Sequence, residues 1–248
     1  MSFKRWLFIY SSLVSLFFVG IGKPTTIMAQ DEVDNQFWIN YALTVPINEK
    51  WTYGGDVGLR GLISNYDWNQ FLIRPNVNYR INYTFSVSPA MAWFKTLNRN
   101  GSNVNEFRIH QDFNAKWPDL GIVEFFYRIR LEQRWFLYQD GSIPNDFNLR
   151  ARLLIGMETA DINLFGDNRP IYFQVIYEGF STGNESALEV FVNQTRFHVA
   201  LGHRLSSRFR YELHYIRQGS RLLREEGLGI SQNIYRLRLF HRLKSKTE

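Results

Sequence analysis

The 248-residue chain has no cysteine, which excludes disulfide bonds, thiolate catalysis and cysteine-ligated metal sites. Beyond Ala29 it also lacks any apolar run of about 18 residues, so no transmembrane helix is predicted. What it has in abundance is aromatic side chains, at 17% of all residues, placed among arginine and asparagine. This composition argues against disorder and against a helical membrane protein.

The first 29 residues predict a cleaved signal peptide. Lys4 and Arg5 precede an apolar run that begins at Trp6, and Met28-Ala29-Gln30 offers cleavage after Ala29. The run is shorter than the roughly 20 residues of a spanning helix, so an N-terminal anchor is the weaker alternative. Cleavage removes three positive charges and no acidic residue, which lowers the net charge from +6 to +3. So small an excess indicates no nucleic-acid partner. Residues 30–248 form the predicted mature domain.

Alternation of apolar and polar residues dominates this mature domain. Phe37, Ile39 and Tyr41 are separated by polar or small residues such as Asn40 and Ala42. A period of two residues predicts β-strands with two unlike faces. The same pattern recurs at 71–79, 107–113, 125–131, 147–155, 209–215 and 235–239.

The two faces differ in a way that favours a membrane barrel. One is large and aromatic, and the other carries Arg, Glu, Asp, Asn and Gln over strands of about 10 to 15 residues, longer than the common 5 to 6. Strands of about 9 to 11 tilted residues cross a bilayer in transmembrane barrels. Aromatic residues near strand ends, Trp51, Tyr79 and Trp117 at one side and Trp38 and Trp135 at the other, predict two interfacial girdles. A soluble β-sandwich or lipocalin-like fold is the alternative.

Turn chemistry gives the expected architecture. Short connectors at 48–50, 82–83, 118–121 and 206–207 alternate with longer polar links. We therefore predict an all-β fold: a single antiparallel transmembrane β-barrel of about 10 to 12 strands, with short periplasmic turns and longer extracellular loops. Eleven strands are evident, although bacterial single-chain barrels have even numbers. Either a partial strand completes twelve, one strand lies outside the wall, or the first strand enters unusually.

Several blocks, in this order and spacing, carry a resemblance to a known family. They are Phe37-Trp38-Ile39-Asn40-Tyr41 with Asn48-Glu49-Lys50-Trp51, Trp68-Asn69-Gln70 with Arg74-Pro75, Asn105-Glu106-Phe107-Arg108 with Trp117-Pro118, Arg130-Leu131-Glu132-Gln133-Arg134, Phe147-Asn148-Leu149-Arg150, Asn193-Gln194-Thr195-Arg196 and Arg236-Leu237-Arg238-Leu239-Phe240. From about Gln36 to Leu243 the chain resembles the uncharacterised outer-membrane β-barrel family called domain of unknown function 2490 (DUF2490). The resemblance implies the outer membrane of a Gram-negative bacterium and carries over no catalytic residues. Outer-membrane lipids, lipopolysaccharide and the barrel-assembly machinery are the expected partners.

A catalytic constellation is not evident. His110, His198 and His214 lie on polar strand faces, and no serine alternates onto the same face beside them. His198 and His214 are on neighbouring strands and can approach each other, but they lack a third ligand for a metal. We therefore expect no enzyme, no metal and no cofactor. An outer-membrane lipid-modifying enzyme, a hydrolase or an acyltransferase, is the alternative function.

The polar faces predict a charged lumen. The residues of this predicted polar network are Glu106, Arg108, Asp112, Arg128, Arg130, Glu132, Arg134, Arg150, Arg152, Arg196, Glu212, Arg236 and Arg238. Arginine could line an anion-selective pore, or arginine and glutamate could fill the barrel. Because about 8 strands leave room only for side chains and 16 to 18 leave a water channel, 10 to 12 strands predict a filled or narrow lumen. The expected role is structural or that of a narrow channel.

Two local expectations depend on hairpin geometry. A turn centred at Asn82 places Pro75 opposite Pro89, and since proline cannot donate to the ladder, we expect a β-bulge there. In the hairpin closed by Pro118 to Ile122, matching opposite charges predicts Arg108 directly across from Glu132.

Overall fold

The computed structural model describes residues 34–63, 67–141, 143–164, 169–183, 194–220 and 229–244. The predicted signal peptide lies outside these residues. Eleven strands make up the fold: β1 Asp34–Pro46, β2 Trp51–Leu62, β3 Trp68–Arg80, β4 Phe85–Asn98, β5 Val104–Asp119, β6 Val123–Tyr138, β7 Asp146–Thr159, β8 Ile171–Thr182, β9 Thr195–Arg204, β10 Phe209–Ser220 and β11 Gly229–Arg242. In the part of the chain that is described, no helix has the length and apolar character needed to cross a bilayer.

The strands close into one barrel. Each strand pairs antiparallel with the next along the chain, and β1 pairs with β11 to complete the wall. This last pairing is parallel, with Trp38 across from Arg236 and Tyr41 across from Leu239. The predicted barrel of about 10 to 12 strands is confirmed. Of the three explanations for an odd count, the structure shows the third, because the first strand enters alongside the last in the same direction.

Residue parity assigns every strand face. Directly paired residues share a face, and the pairs of all eleven pairings join residues of the same parity, except Asp119–Glu124 and Ser220–Gly229, which follow register shifts at strand ends. Even-numbered side chains such as Leu72, Phe94 and Glu132 are fully buried inside, while odd-numbered Leu59 and Ile129 are exposed on the outside. The alternation in the sequence therefore persists from β1 to β11 without a change of phase.

Short turns close the hairpins at one end of the barrel, which we call the turn end. Connectors 47–50 and 81–84 have the same construction, in which Asn48 and Asn82 accept hydrogen bonds from the backbone N–H groups two and three residues later. Ser206 does the same between β9 and β10. The opposite end, which we call the loop end, has connections 63–67, 99–103, 139–145, 183–194 and 221–228. One connection at the turn end, 160–170, is also long.

The proline prediction is wrong in both of its parts. Pro75 does not face Pro89, because the register of β3 and β4 pairs Ile73 with Trp93 and Asn76 with Ala90. The same register holds from Trp68 to Arg80, so no residue is inserted and there is no bulge. The ladder is interrupted between these pairs instead, and both prolines lie on the outward, odd-numbered face.

The predicted register of β5 and β6 is also wrong. Arg108 lies directly across from Arg134, and Glu132 lies across from His110. The register shifts between Lys116 and Asp119, where β5 holds an extra residue. The length of the turn therefore does not set the pairing of Val104 to Lys116 with β6. Like charges face each other at Arg108 because both arginines reach the Glu106 carboxylate, each through its Nε at 2.6 Å.

Two interior rings lie flat against glycines. Tyr172 is paired with Gly202 and Phe126 with Gly156. A Cβ atom at Gly202 would lie 2.1 Å from the Tyr172 ring, and one at Gly156 would lie 2.3 Å from the Phe126 ring. The missing side chains therefore let both rings lie close to the wall.

Replacing Gly202 by alanine tests this packing. We expect Gly202→Ala to lower the free energy of unfolding by about 1–3 kcal/mol, the usual range for overpacking, because Tyr172 must move. The matched control is Gly179→Ala, since a Cβ atom there meets nothing within 4 Å. Urea unfolding of the refolded barrel measures both variants, and equal stabilities would contradict the close approach.

Candidate functional site in the barrel interior

Buried carboxylates organise the barrel interior. Glu132, Glu178 and Glu212 are each at most 2% exposed, and each is bound by more than one basic side chain. A buried charge is tolerated only when it is paired and hydrogen-bonded. The polar strand faces therefore converge on a small number of shared acids.

A continuous chain of ion pairs crosses three strands of the wall. Glu132 contacts Arg150 at 2.6 Å and Arg152 at 3.0 Å. Arg152 also contacts Glu178 at 2.7 Å, and Glu178 binds Arg128 at 2.7 Å. Arg152 thus joins two buried carboxylates, one on β6 and one on β8, which ties the strands of this region together.

Three further acids bind arginine in a similar way. Asp112 holds its direct partner Arg130 through two hydrogen bonds of 2.6 and 2.7 Å. Asp56 accepts hydrogen bonds from two nitrogens of the Arg74 guanidinium, Nε and Nη2, in the same manner. Glu106, between Arg108 and Arg134, completes the set.

Glu212 forms a separate group near the turn end. One carboxylate oxygen accepts a hydrogen bond from the Tyr172 hydroxyl at 2.8 Å, and the other contacts His214 Nε2 at 2.9 Å and Arg238 at 3.2 Å. Within this group the Tyr172 hydroxyl contacts the carboxylate and not the imidazole. His198 approaches His214 with ring centroids 6.2 Å apart, and no group of three metal-ligating side chains occurs among the described residues.

The structure places all thirteen residues of the predicted polar network on the inner face of the barrel. Twelve of them take part in ion pairs with interior acids or with arginine. Arg236 differs, because its recorded hydrogen bond goes to the Asn40 amide oxygen at 3.0 Å. Asp56, Arg74 and Glu178 also lie on the inner face of the barrel, and their even residue numbers predict this position.

Interior aromatic residues were missed at the sequence level. Trp38, assigned above to a girdle, faces the interior with only 5% of its surface exposed. Phe94 and Phe180 also face inward, and guanidinium groups lie over all three rings, for example Arg108 at 3.8 Å from the Phe94 centroid. The even number of Trp38 in a strand whose odd residues are apolar is the signal that was available.

A cavity of about 1170 Å³ remains between these side chains. Its lining includes Thr52 and Lys116 near the turn end and Tyr138 and Thr182 near the loop end. Thirteen Lys and Arg residues line it against five Asp and Glu residues, so the wall of the cavity is strongly positive. The ion pairs fill part of the lumen and leave this cavity between them.

These features define a closed β-barrel with a cationic, partly filled interior. The family described as "Protein of unknown function (DUF2490)" matches residues 35–222. The chain belongs to this family, and the resemblance given above is confirmed. No curated protein matches. Among solved structures, the NanC porin in a rhombohedral crystal form is similar, with 14% sequence identity, 85% of this chain and 100% of that chain covered, and a TM-score of 0.48. Similarity at that level supports no functional transfer.

Removing one shared carboxylate tests the ion network. We expect Glu132→Gln to lower the free energy of unfolding by about 3–5 kcal/mol, because Arg150 and Arg152 lose a buried counter-charge. The matched control is Glu124→Gln, since the Lys116–Glu124 pair is largely exposed and such pairs contribute about 0–1 kcal/mol. Urea unfolding monitored by the gel shift between folded and boiled protein measures both. A loss for Glu132→Gln no larger than for Glu124→Gln would contradict the assigned role.

Proposed function

We propose that this protein is an outer-membrane barrel of a Gram-negative bacterium that forms a narrow, anion-preferring passage for small solutes. The observation that carries the proposal is the cavity of about 1170 Å³, lined near both ends of the barrel, with thirteen basic and five acidic side chains. A lumen with one sign of charge and low-dielectric walls attracts ions of the opposite sign.

The outer face supports a membrane setting. Large apolar side chains with odd numbers, among them Phe113, Ile129, Leu153 and Tyr177, are about half exposed around the barrel. A water-soluble protein rarely exposes so extensive an apolar surface. Export through residues 1–29, contact with outer-membrane lipids and lipopolysaccharide, and insertion by the barrel-assembly machinery are parts of the same proposal.

Narrowness follows from the same side chains that carry the charge. Arg130, Arg150 and Arg152 extend into the lumen and are fixed by Asp112 and Glu132. These fixed guanidinium groups make the lumen narrower than that of an open channel, and they give its surface positive charge. The proposal assigns no catalytic step, because the Glu212–His214 pair is bound by Tyr172 and Arg238.

Arginine substitutions on the two faces test the membrane setting. We expect Ile129→Arg and Leu153→Arg each to lower the folding free energy in lipid vesicles by about 2–4 kcal/mol, because the charge faces lipid near the midplane. Asn114→Arg, on the inner face of β5, is the control and should have a smaller effect. The reverse ranking would show that the apolar face does not meet lipid.

Planar-bilayer recording of the refolded protein tests the passage itself. We expect small, steady conductance steps, and a reversal potential under a potassium chloride gradient that reports chloride preference. The positive lining of the lumen is the physical reason. Boiled protein is the control. Silence, or selectivity for potassium, would overturn the proposed function.

A further inference from the structure

Three guanidinium groups surround one buried indole in the lumen. Arg60, Arg196 and Arg236 lie 4.1, 5.3 and 5.9 Å from the Trp38 ring centroid. They come from β2, β9 and β11, and all four side chains line the cavity. The barrel therefore concentrates three positive charges around one point of its lumen.

Each of these three arginines donates a hydrogen bond to a side-chain amide, whereas most of the other interior arginines donate to carboxylates. Arg60 donates to Gln70 at 3.2 Å, Arg196 to Gln218 at 2.5 Å and Arg236 to Asn40 at 3.0 Å. An amide oxygen orients a guanidinium but leaves its charge uncompensated. The Nε of Arg60 is buried and has no hydrogen-bond partner among the described residues.

The acid that pairs with this group is shared with two other arginines. Glu178 reaches Arg196 only at 3.6 Å, while it binds Arg128 and Arg152 at 2.7 Å each. For Arg60 and Arg236, no ion pair with an acidic side chain is recorded in the described part of the chain. Among the described residues the three arginines thus have a single ion pair between them, and it is longer than the pairs that Glu178 makes with Arg128 and Arg152.

The amides are themselves held in place. Gln70 donates to Thr96 at 2.8 Å, Gln218 donates to Gln232 at 2.8 Å, and Asn40 donates to Asp56 at 2.9 Å. Trp38 donates to Gln36 at 2.9 Å. A second layer of hydrogen bonds therefore fixes the orientation of each arginine before any solute arrives, which lowers the entropic cost of binding.

We propose that Arg60, Arg196 and Arg236 form a binding site for a single carboxylate or phosphate group of a small solute, at the face of Trp38. This assignment rests on the proposed passage and names the class of solute that it takes. Guanidinium groups bind both kinds of oxyanion through paired hydrogen bonds. The bound anion supplies the negative charge that the amide partners do not.

The test is equilibrium binding to the full-length protein refolded in detergent, measured by isothermal titration calorimetry. The probes are gluconate, glucose 6-phosphate and neutral glucose. We expect saturable binding of a charged probe and none of glucose, and the tighter of the two charged probes identifies carboxylate or phosphate as the preferred group. Absence of saturable binding by both charged probes, or equal binding of glucose, overturns the proposal.

Variants separate a local site from the general field of the lumen. We expect Arg60→Gln and Arg236→Gln each to weaken binding of the charged probe at least tenfold. The matched control is Arg204→Gln, which removes the same charge at the turn end, from a residue that contacts Glu158 and Asp161. An equal loss in the control overturns the proposal, and the folded gel band is checked for every variant.

Saturable binding by a barrel that does not conduct would support this site and contradict the proposed passage. Conduction without binding would support the passage and contradict the site.

Discussion

Sharing of each buried carboxylate between several guanidinium groups is the interaction on which the interior of this barrel depends. At an effective dielectric constant of 20, two like charges 4 Å apart repel by about 4 kcal/mol, so closely spaced arginines need a common counter-ion. Glu106 is the common counter-ion of Arg108 and Arg134, which face each other directly. Glu132 and Glu178 are counter-ions that both contact Arg152. The protein thereby holds more arginines than acids without separating its strands.

The limited number of interior carboxylates explains why the arginines of the lumen fall into two groups with different hydrogen-bond partners. Where acids are available, the arginines are paired with carboxylates and act as part of the wall. Around Trp38 the guanidinium groups donate instead to Gln70, Gln218 and Asn40, which fix geometry but contribute no charge, and Arg196 adds a longer ion pair with Glu178. One set of side chains therefore stabilises the barrel, and a second set is left with positive charge toward the cavity.

The fold could be predicted from the sequence because a strand has a period of two residues, and no connection in this barrel breaks the phase of the alternation. The partners within the interior were harder to predict. Arg134 reaches Glu106 although its direct partner is Arg108, because long side chains lean along the strands, and the irregularity after Lys116 displaces the register. For Trp38 the residue type predicts an interfacial girdle and the even number predicts the interior, and the structure follows the number.

The parallel seam between β1 and β11 has a consequence for chain connectivity. β1 starts at the loop end with Asp34, and β11 finishes at the turn end with Arg242. In a circular permutant, a short linker could not join these two residues, because it would have to extend from the turn end of the barrel to the loop end. A linker long enough to do so would run opposite to both neighbours, in the direction that an inserted twelfth strand needs to pair antiparallel with each of them. Permutation of this barrel and conversion to an even strand number are therefore the same design problem.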